Sequence, residues 1–245
     1  MRLHRFYIEQ YQGNWGTGSV VITDSSLVNQ FRNVLRYSEG DYFIGFHGTG
    51  DEYQMKIESI DRKSINTSFV EQLKVNTFIK NNNLNNVTMY ISLIKKDRFE
   101  WMIEKLTELG IKKIVPIISQ HTTIKNISLK RLHKISKEAV EQSGQVNLVE
   151  IGEPQTLAEA LKHSDRKIFC FHTHDSDDMK KQEEINFTKE GENKKTKHVF
   201  IGPEGGWSED DIFLFKENDA KIMHLNTPIL RTETAAIVTA VKFIK

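Results

Sequence analysis

Five asparagines in seven residues, Lys80-Asn81-Asn82-Asn83-Leu84-Asn85-Asn86, divide this chain into two stretches with different rhythms. Asn is poor in helix and strand interiors and favoured in turns, so the run reads as a linker and marks a domain boundary. Ahead of it, short runs of strand composition at 5–8, 19–23, 42–46, 53–57 and 64–70 are punctuated by Gly13, Gly16, Gly18, Gly40, Gly48 and Gly50. Many short strands with Gly-rich turns predict a small β-barrel. One helix is expected among them, at about 26–36, with Leu27, Phe31, Val34 and Leu35 near helical spacing. Beyond the linker, strand candidates at 87–94, 114–118, 167–171, 198–201 and 221–225 alternate with helices. Asp97 is expected to cap the first helix, which Gly110 ends; Ser128 caps the next, which ends near Gly144. That alternation predicts an α/β fold on a mostly parallel sheet. The charged stretch between Asp175 and Lys197 is expected to be a solvated surface insertion. The resulting division is 1–74, a linker at 75–86, and 87–245.

Composition narrows the function classes. Apolar residues make up 38% and charged residues 27% of the 245, which supports a packed core rather than a disordered chain. No apolar run approaches the ~20 residues that span a bilayer. The N-terminal run Met1-Arg2-Leu3-His4-Arg5-Phe6-Tyr7-Ile8 lacks the apolar core of a secretory signal, and Cys170 is the only cysteine. A cytoplasmic protein without disulfides or a Cys-based zinc site is expected. Net charge is +1, and through Gln72 seven Lys/Arg stand against nine Asp/Glu. Any affinity for nucleic acid must therefore come from where the cations cluster, not from their sum.

Two segments carry the functional signal. In the first, an apolar run His198-Val199-Phe200-Ile201 leads into Gly202-Pro203-Glu204-Gly205-Gly206, followed by Trp207 and by Ser208 and Asp211 spaced as a capping box. Three glycines allow a sharp turn or close approach of a ligand to the main chain. By itself the segment is either a tight strand-to-helix turn or a ligand loop; it is neither a Walker loop nor Gly-x-Gly-x-x-Gly. In the second, Leu225-Asn226-Thr227-Pro228-Ile229-Leu230-Arg231-Thr232-Glu233-Thr234-Ala235 leaves a strand and enters a final helix that is apolar on nearly all sides, and so is expected to be buried. Alone, Arg231 and Glu233 could equally form a helix-end salt bridge.

Together, residues 201–208 and 230–235 resemble the signature loops of the RsmE group of SPOUT methyltransferases. Lys105-Leu106-Thr107-Glu108-Leu109-Gly110 with Pro116, Glu138-Ala139-Val140-Glu141-Gln142-Ser143, Val34-Leu35-Arg36 and Gly40-Asp41 are similar to further motifs of that group, in the same order along almost the whole chain. The chain departs from the pattern at Gln30, Gln145 and Asn226, where the group has His, Arg and Gly. The resemblance implies a C-terminal α/β domain containing a trefoil knot, a small N-terminal PUA-like, RNA-binding β-barrel, and a homodimer. It also implies S-adenosylmethionine as cofactor and methylation of N3 of a uridine in 16S ribosomal RNA, with ribosomal RNA or the small ribosomal subunit as partner. A non-catalytic RNA-binding or ribosome-assembly protein on the same scaffold, and a related methyltransferase with another target base, stay open as alternatives.

The expected site follows from that chemistry. A sulfonium methyl needs an aligned nucleophile and no metal, so the protein's tasks are positioning and charge stabilisation. Arg231 is the first candidate for charge developing on the uracil oxygens, because a guanidinium stays charged and presents several donors. Glu204 is the candidate to orient the base or accept its proton, or else is a structural carboxylate. Gly202, Pro203, Gly205, Gly206, Leu225, Leu230, Thr232 and Glu233 are expected to hold the cofactor. The loop after Phe171, with His172, Thr173 and His174, is expected to form a third wall; its two His residues are too few for a metal site. Arg2, Arg5, Arg32 and Arg36 are the expected RNA contacts, the last two being four apart on the predicted helix and so on one face.

Overall fold

The computed structural model describes residues 3–75, 83–124, 126–162, 167–172, 196–225 and 227–244. Arg2, Thr173, His174, Asn226, most of the expected linker and nearly all of the charged stretch fall outside them. The chain clusters into two units, Met1–Asn81 with Val140–Asn147, and Asn82–Ala139 with Leu148–Lys245.

The N-terminal unit is built on strands β1 (Arg5–Tyr7), β2 (Tyr11–Gly13), β3 (Ser19–Ile22), β4 (Tyr42–Phe46), β5 (Glu52–Ile60) and β6 (Ile65–Leu73), in the order β1-β4-β5-β6-β3-β2. Among the described residues of this unit, only β1 and β4 pair in parallel. The path ends at β1 and β2, so the ladders establish a six-stranded sheet. Alternate residues such as Val20 and Ile22, or Met55 and Ile57, are buried and form the core with Phe6, Phe31 and Phe43. Strand β2 was not among the expected strands, because a three-residue edge segment with one large apolar side chain carries no periodicity.

The helix expected at 26–36 is shorter. Asp24 caps α1 (Ser25–Asn29), accepting from the N–H groups of Ser26 and Leu27 at 2.8 and 3.2 Å. The chain then widens into a π turn, Gln30–Val34, closed by the N–H of Leu35 donating to the Gln30 carbonyl at 2.9 Å. Arg36 lies beyond it in the left-handed region, at φ 56°. The shared face expected of Arg32 and Arg36 is therefore absent. Core packing sets the wider turn: Phe31 is fully buried against Phe6 and Phe43, with ring centroids 4.6 and 5.0 Å away, whereas Val34 is left 67% exposed.

Arg5 has a structural place in this unit. Its Nε and Nη2 donate to Glu52 Oε2 at 3.0 and 2.7 Å, its Nη1 to the carbonyls of Val140 and Glu141, and its Nη2 also to that of Gln145. All five guanidinium N–H groups are thus used, and the group stacks 4.8 Å from the Phe46 ring centroid. Because Gln145 enters through its backbone, the departure at that position leaves this contact intact.

The C-terminal unit alternates strands and helices. Its elements are β7 (Val87–Ser92), α2 (Lys96–Leu109), β8 (Lys113–Ile118), α3 (Leu129–Ser143), β9 (Glu150–Ile151), β10 (Gln155–Thr156), α4 (Leu157–Leu161), β11 (Lys167–Phe171), β12 (Lys197–Ile201), α5 (Glu209–Glu217), β13 (Lys221–Met223) and α6 (Thr232–Ile244). From Val140 onward, α3 clusters with the N-terminal unit. Every ladder is parallel, in the order β10-β8-β7-β12-β11-β13, with β9 beside β8. A parallel strand covered on both faces needs a continuous apolar run, and β7 is buried at all six positions. Met89, Ile91, Phe169, Phe171, Val199 and Ile201 enter one core with α2 and α6. Their neighbours Tyr90, Cys170 and Phe200 enter a second core with α4 and α5.

One expectation is corrected here. Helix α2 is preceded by Lys95, which has no capping side chain, and Asp97 lies inside the first turn, where a carboxylate still meets the positive end of the helix dipole. Helix α6 is enclosed as expected: Ala236, Thr239, Ala240 and Phe243 are buried, Ala235, Ile237 and Ile244 pack partly against the core, and only Thr234 and Val241 along it are exposed. Among the described residues, no helix is long and apolar enough to cross a membrane.

Two outcomes follow. Burial, and then the Asp211 carboxylate, push the Cys170 thiol well above its ordinary range. Thiol reagents act on the thiolate, so labelling of Cys170 is expected only as the C-terminal unit opens; rapid labelling of native protein would contradict this packing. Replacing Arg5 with Ala strands the partly buried Glu52 carboxylate and three carbonyls, for an expected loss of about 3 kcal/mol in urea unfolding. Arg5→Lys is expected to recover little of it, since an ammonium cannot span that fork; unchanged stability of both variants would refute the role.

Candidate functional site

The site begins where β12 runs out. After buried Ile201 the chain turns through Gly202-Pro203-Glu204-Gly205-Gly206, and the N–H of Gly206 closes the turn on the Pro203 carbonyl at 2.9 Å. Gly206 has φ +71° and open space where a Cβ would stand, so the backbone conformation, not crowding, calls for glycine there. Gly202 is the converse: a Cβ would fall 3.1 Å from Cε2 of Trp207, whose indole lies against the Gly202 backbone. The indole N–H donates to the Phe171 carbonyl at 3.0 Å, and the ring packs edge-on against Phe215. Ser208 and Asp211 then complete a reciprocal capping box that starts α5.

The second loop leaves β13 and enters α6. The Thr232 hydroxyl reaches back and donates to the Gly202 carbonyl at 2.9 Å, joining the two motifs. The Arg231 carbonyl accepts the Ala235 N–H, the first bond of the helix. The third wall is the end of β11, where the His172 N–H donates to the Met223 carbonyl and the His172 carbonyl lies 3.0 Å from His224 Nδ1.

These loops enclose a cleft of about 150 Å³. It opens at the carboxyl ends of β12, β11 and β13, which are adjacent in the sheet. Open parallel sheets hold ligands at that edge. Of the expected cofactor residues, Gly202, Pro203, Gly206, Leu225, Leu230 and Thr232 line the cleft, together with His172. Gly205 instead faces His121, whose Nδ1 lies 3.2 Å from the Gly206 carbonyl. Glu233 is buried outside the cleft wall, with Oε1 3.9 Å from Arg98 Nε and with Oε2 unbonded. Thr173 lies outside the described residues.

The charged candidates stand around the cleft rather than in its wall. Arg231 is exposed. Glu204 is exposed and bonded to Arg98 Nη1 at 2.5 Å. Arg98, in the first turn of α2, thus faces a carboxylate from each signature loop. Nothing in the sequence singles out Arg98, since one cation at the start of an amphipathic helix forms no pattern. Trp207 was legible as a residue beside the glycines, but its contact with Gly202 depends on the turn between them. Of the expected RNA contacts, Arg5 is committed to the protein interior of its unit, whereas Arg32 and Arg36 are exposed.

A parallel sheet with a cleft walled by main chain, aliphatic, aromatic and imidazole side chains, with charged residues at its margin, defines an α/β protein built to hold a small molecule at its sheet edge. The chain belongs to the family described as the RNA methyltransferase domain, whose model matches residues 80–243 and so includes all three loops. It is 27% identical over 238 residues to ribosomal RNA small subunit methyltransferase E of Rickettsia conorii, covering 97% of this chain and 93% of that protein. It is 29% identical over 240 residues to the protein of the same name from Aquifex aeolicus, covering 96% of each. Among solved structures it is similar to a protein of Legionella pneumophila described as a methyltransferase in complex with SAM, with a TM-score of 0.80 and 23% identity over 99% of this chain and 97% of that one. It also matches ribosomal RNA small subunit methyltransferase E of Neisseria gonorrhoeae bound to S-adenosyl methionine, with a TM-score of 0.75 and 22% identity over 98% and 96% of the two chains. The resemblance first drawn from the two loops thus extends along the chain.

The loop junction can be tested directly. Gly202→Ala drives a methyl group into the Trp207 ring and is expected to cost about 1–3 kcal/mol, with a changed near-ultraviolet signal from Trp207. Thr232→Val removes the donor to the Gly202 carbonyl at similar volume, with an expected loss of about 1 kcal/mol. Wild-type thermal unfolding and dichroism in both variants would show that the loops are not joined in this way.

Proposed function

We propose that the chain binds S-adenosylmethionine in the cleft and methylates N3 of a uridine in 16S ribosomal RNA. The observation that carries this proposal is the cleft itself: two signature loops of an RNA methyltransferase family, joined through Thr232 and Gly202, wall the carboxyl edge of a parallel sheet. The donor set suits the cofactor. Ile201, Leu225 and Leu230 give apolar surface for an adenine ring, and the adjoining backbone N–H and C=O groups match its polar edge. Bound there, the cofactor supplies an electrophilic methyl group on a sulfonium.

The chain's own residues then have separate tasks. The backbone of Gly202, Pro203, Gly206, Leu225 and Leu230, with the Thr232 hydroxyl close by, fixes the cofactor. Glu233 and Gly205 support this wall from behind. Thr173, which follows His172, is assigned to the same wall. Arg231, exposed at the head of α6, faces the incoming base and stabilises the charge that gathers on O2 and O4 as the N3 proton leaves. Glu204, held by Arg98, orients the base. Arg2, Arg32 and Arg36 are assigned to RNA, with Arg5 acting on that face through structure.

The same resemblance supports the finer features of the fold: residues 1–74 as a PUA-like β-barrel, 75–86 as a linker, and 87–245 as a knotted SPOUT domain. A homodimer, acting in the cytoplasm on ribosomal RNA or the small subunit, completes the proposal. The partly exposed apolar side of α6 around Val241 is consistent with pairing.

Isothermal titration of the full chain with S-adenosylmethionine is expected to give one site per chain. Arg231→Ala is expected to leave that affinity unchanged and to lower methyl transfer about 10²–10³-fold. Mass spectrometry of ribosomal nucleosides from cells lacking the protein should show loss of 3-methyluridine from the small-subunit RNA. Folded protein that binds no cofactor would refute the proposal, and loss of a different modified nucleoside would redirect it to another base.

A further inference from the structure

The N-terminal unit is not rich in cations, yet it concentrates them. Through Gln72 there are seven Lys/Arg and nine Asp/Glu. Three of the seven, Arg32, Arg62 and Lys63, line one groove of about 360 Å³. No carboxylate belongs to its wall. Asp24, between the wall residues Thr23 and Ser25, turns its Oδ1 to the N–H groups of Ser26 and Leu27 as a helix cap. Asp61 precedes Arg62 in the β5–β6 turn but is not part of the wall. Arg32, Arg62 and Lys63 are exposed and form no ion pair among the described residues. This differs sharply from Arg5, whose five donors are all satisfied by the protein.

The rest of the wall is donor-rich and neutral. Thr23 and Ser25 bring hydroxyls. The Asn33 amide donates to Asn29 Oδ1 at 2.6 Å, which leaves the Asn29 amide N–H₂ for a ligand. Phe31, fully buried, anchors the π turn on which Arg32 and Asn33 sit. Three cations with amide and hydroxyl donors match the oxygens of phosphodiesters: guanidinium forks grip two oxygens and an ammonium acts as a point charge. No aromatic ring lines the groove, so it offers no platform for stacking bases and nothing that reads sequence.

We propose that this groove binds the phosphodiester backbone of the RNA substrate, independently of sequence. It rests on the RNA methyltransferase function above, but lies outside the matched span 80–243. It also redraws the RNA face of this unit, adding Arg62 and Lys63 to Arg32.

The test uses the full chain and a fluorescein-labelled single-stranded RNA of about 20 nucleotides, with anisotropy read across a potassium chloride series. The variant is the triple substitution Arg32→Gln, Arg62→Gln and Lys63→Gln, all at exposed positions, with its fold checked by circular dichroism. Wild type is expected to bind with affinity that falls with salt. The triple variant is expected to bind about 10–100-fold more weakly at low salt, with a log–log salt slope smaller by about 2, as three lost phosphate contacts on a single strand imply. Equal affinity and slope in the two proteins would overturn the proposal. So would displacement of RNA by sub-millimolar inorganic phosphate at constant ionic strength, which marks a free-anion site. Loss of binding to phosphatidylglycerol vesicles with RNA binding intact would overturn it in favour of a membrane surface. Cofactor titration on the same samples separates the two proposals: a chain that binds no cofactor but loses RNA in the triple variant keeps the groove and fails the methyltransferase, and the reverse pattern fails only the groove.

Discussion

The bond from the Thr232 hydroxyl to the Gly202 carbonyl organises the C-terminal unit beyond its energetic weight. At 2.9 Å it is an ordinary hydrogen bond, worth about 1 kcal/mol net. The two hydrophobic layers on either side of the sheet carry the stability. What the bond supplies is register: it fixes the exit of β12 against the entry of α6, thirty residues later in the chain. Trp207 does the same from the other side, laying its ring on Gly202 and its N–H on the end of β11. The ends of β11 and β12 and the head of α6 are thereby fixed around one glycine, and the cleft is the space they leave.

That geometry separates two kinds of chemistry. The cleft wall is main chain with aliphatic, aromatic and imidazole side chains and includes no Lys, Arg, Asp or Glu, so it can hold a nucleoside-like molecule by shape and by N–H and C=O groups. The charges stand at the margin. Arg98 is placed between Glu204 from the first loop and Glu233 from the second, and so links them electrostatically where Thr232 and Gly202 link them by hydrogen bonding. The Glu204 pair is exposed, so its contribution to stability is small, and its main effect is on where that carboxylate points. Arg231, one residue before Thr232, is left exposed and is not drawn into this network.

Much of this was legible in the sequence, for identifiable reasons. Strands β7, β8, β11 and β12 could be placed because buried parallel strands are apolar runs bounded by turn residues. The Ser208–Asp211 box and the Gly110 stop are local, and each is set by a few adjacent residues. Six of the residues expected to hold the cofactor meet in one cleft because the two loops carrying them leave β12 and β13, which flank β11 at one sheet edge. What escaped depended on contacts distant in sequence. The π turn at Gln30–Val34 follows from how Phe31 seats against Phe6 and Phe43, and helical spacing alone favoured a plain helix. After β7 ends at Ser92 the chain stays buried through Leu93 and Ile94, and α2 starts directly after Lys95, which leaves Asp97 inside the first turn. Arg98 sits 106 residues from Glu204, and no spacing rule connects them.

Arginine shows most plainly why composition could not decide the RNA face. Arg5 and Arg32 are both cations near strand or helix ends, and a sequence assigns them equal promise. Desolvation separates them. Arg5 is nearly buried, and burying a guanidinium is tolerable only when each N–H finds a partner. Glu52, three carbonyls and the face of Phe46 meet that demand and leave no donor for a ligand. Arg32 stays in water, so the protein has no need to satisfy it, and its donors remain available. The same contrast explains how a unit with more acids than bases can still present a cationic surface. One cation is withdrawn into the interior with its counter-ion, and three of the rest are gathered in a groove whose described wall includes no carboxylate. Position, not net charge, then sets the local field that an approaching polyanion meets.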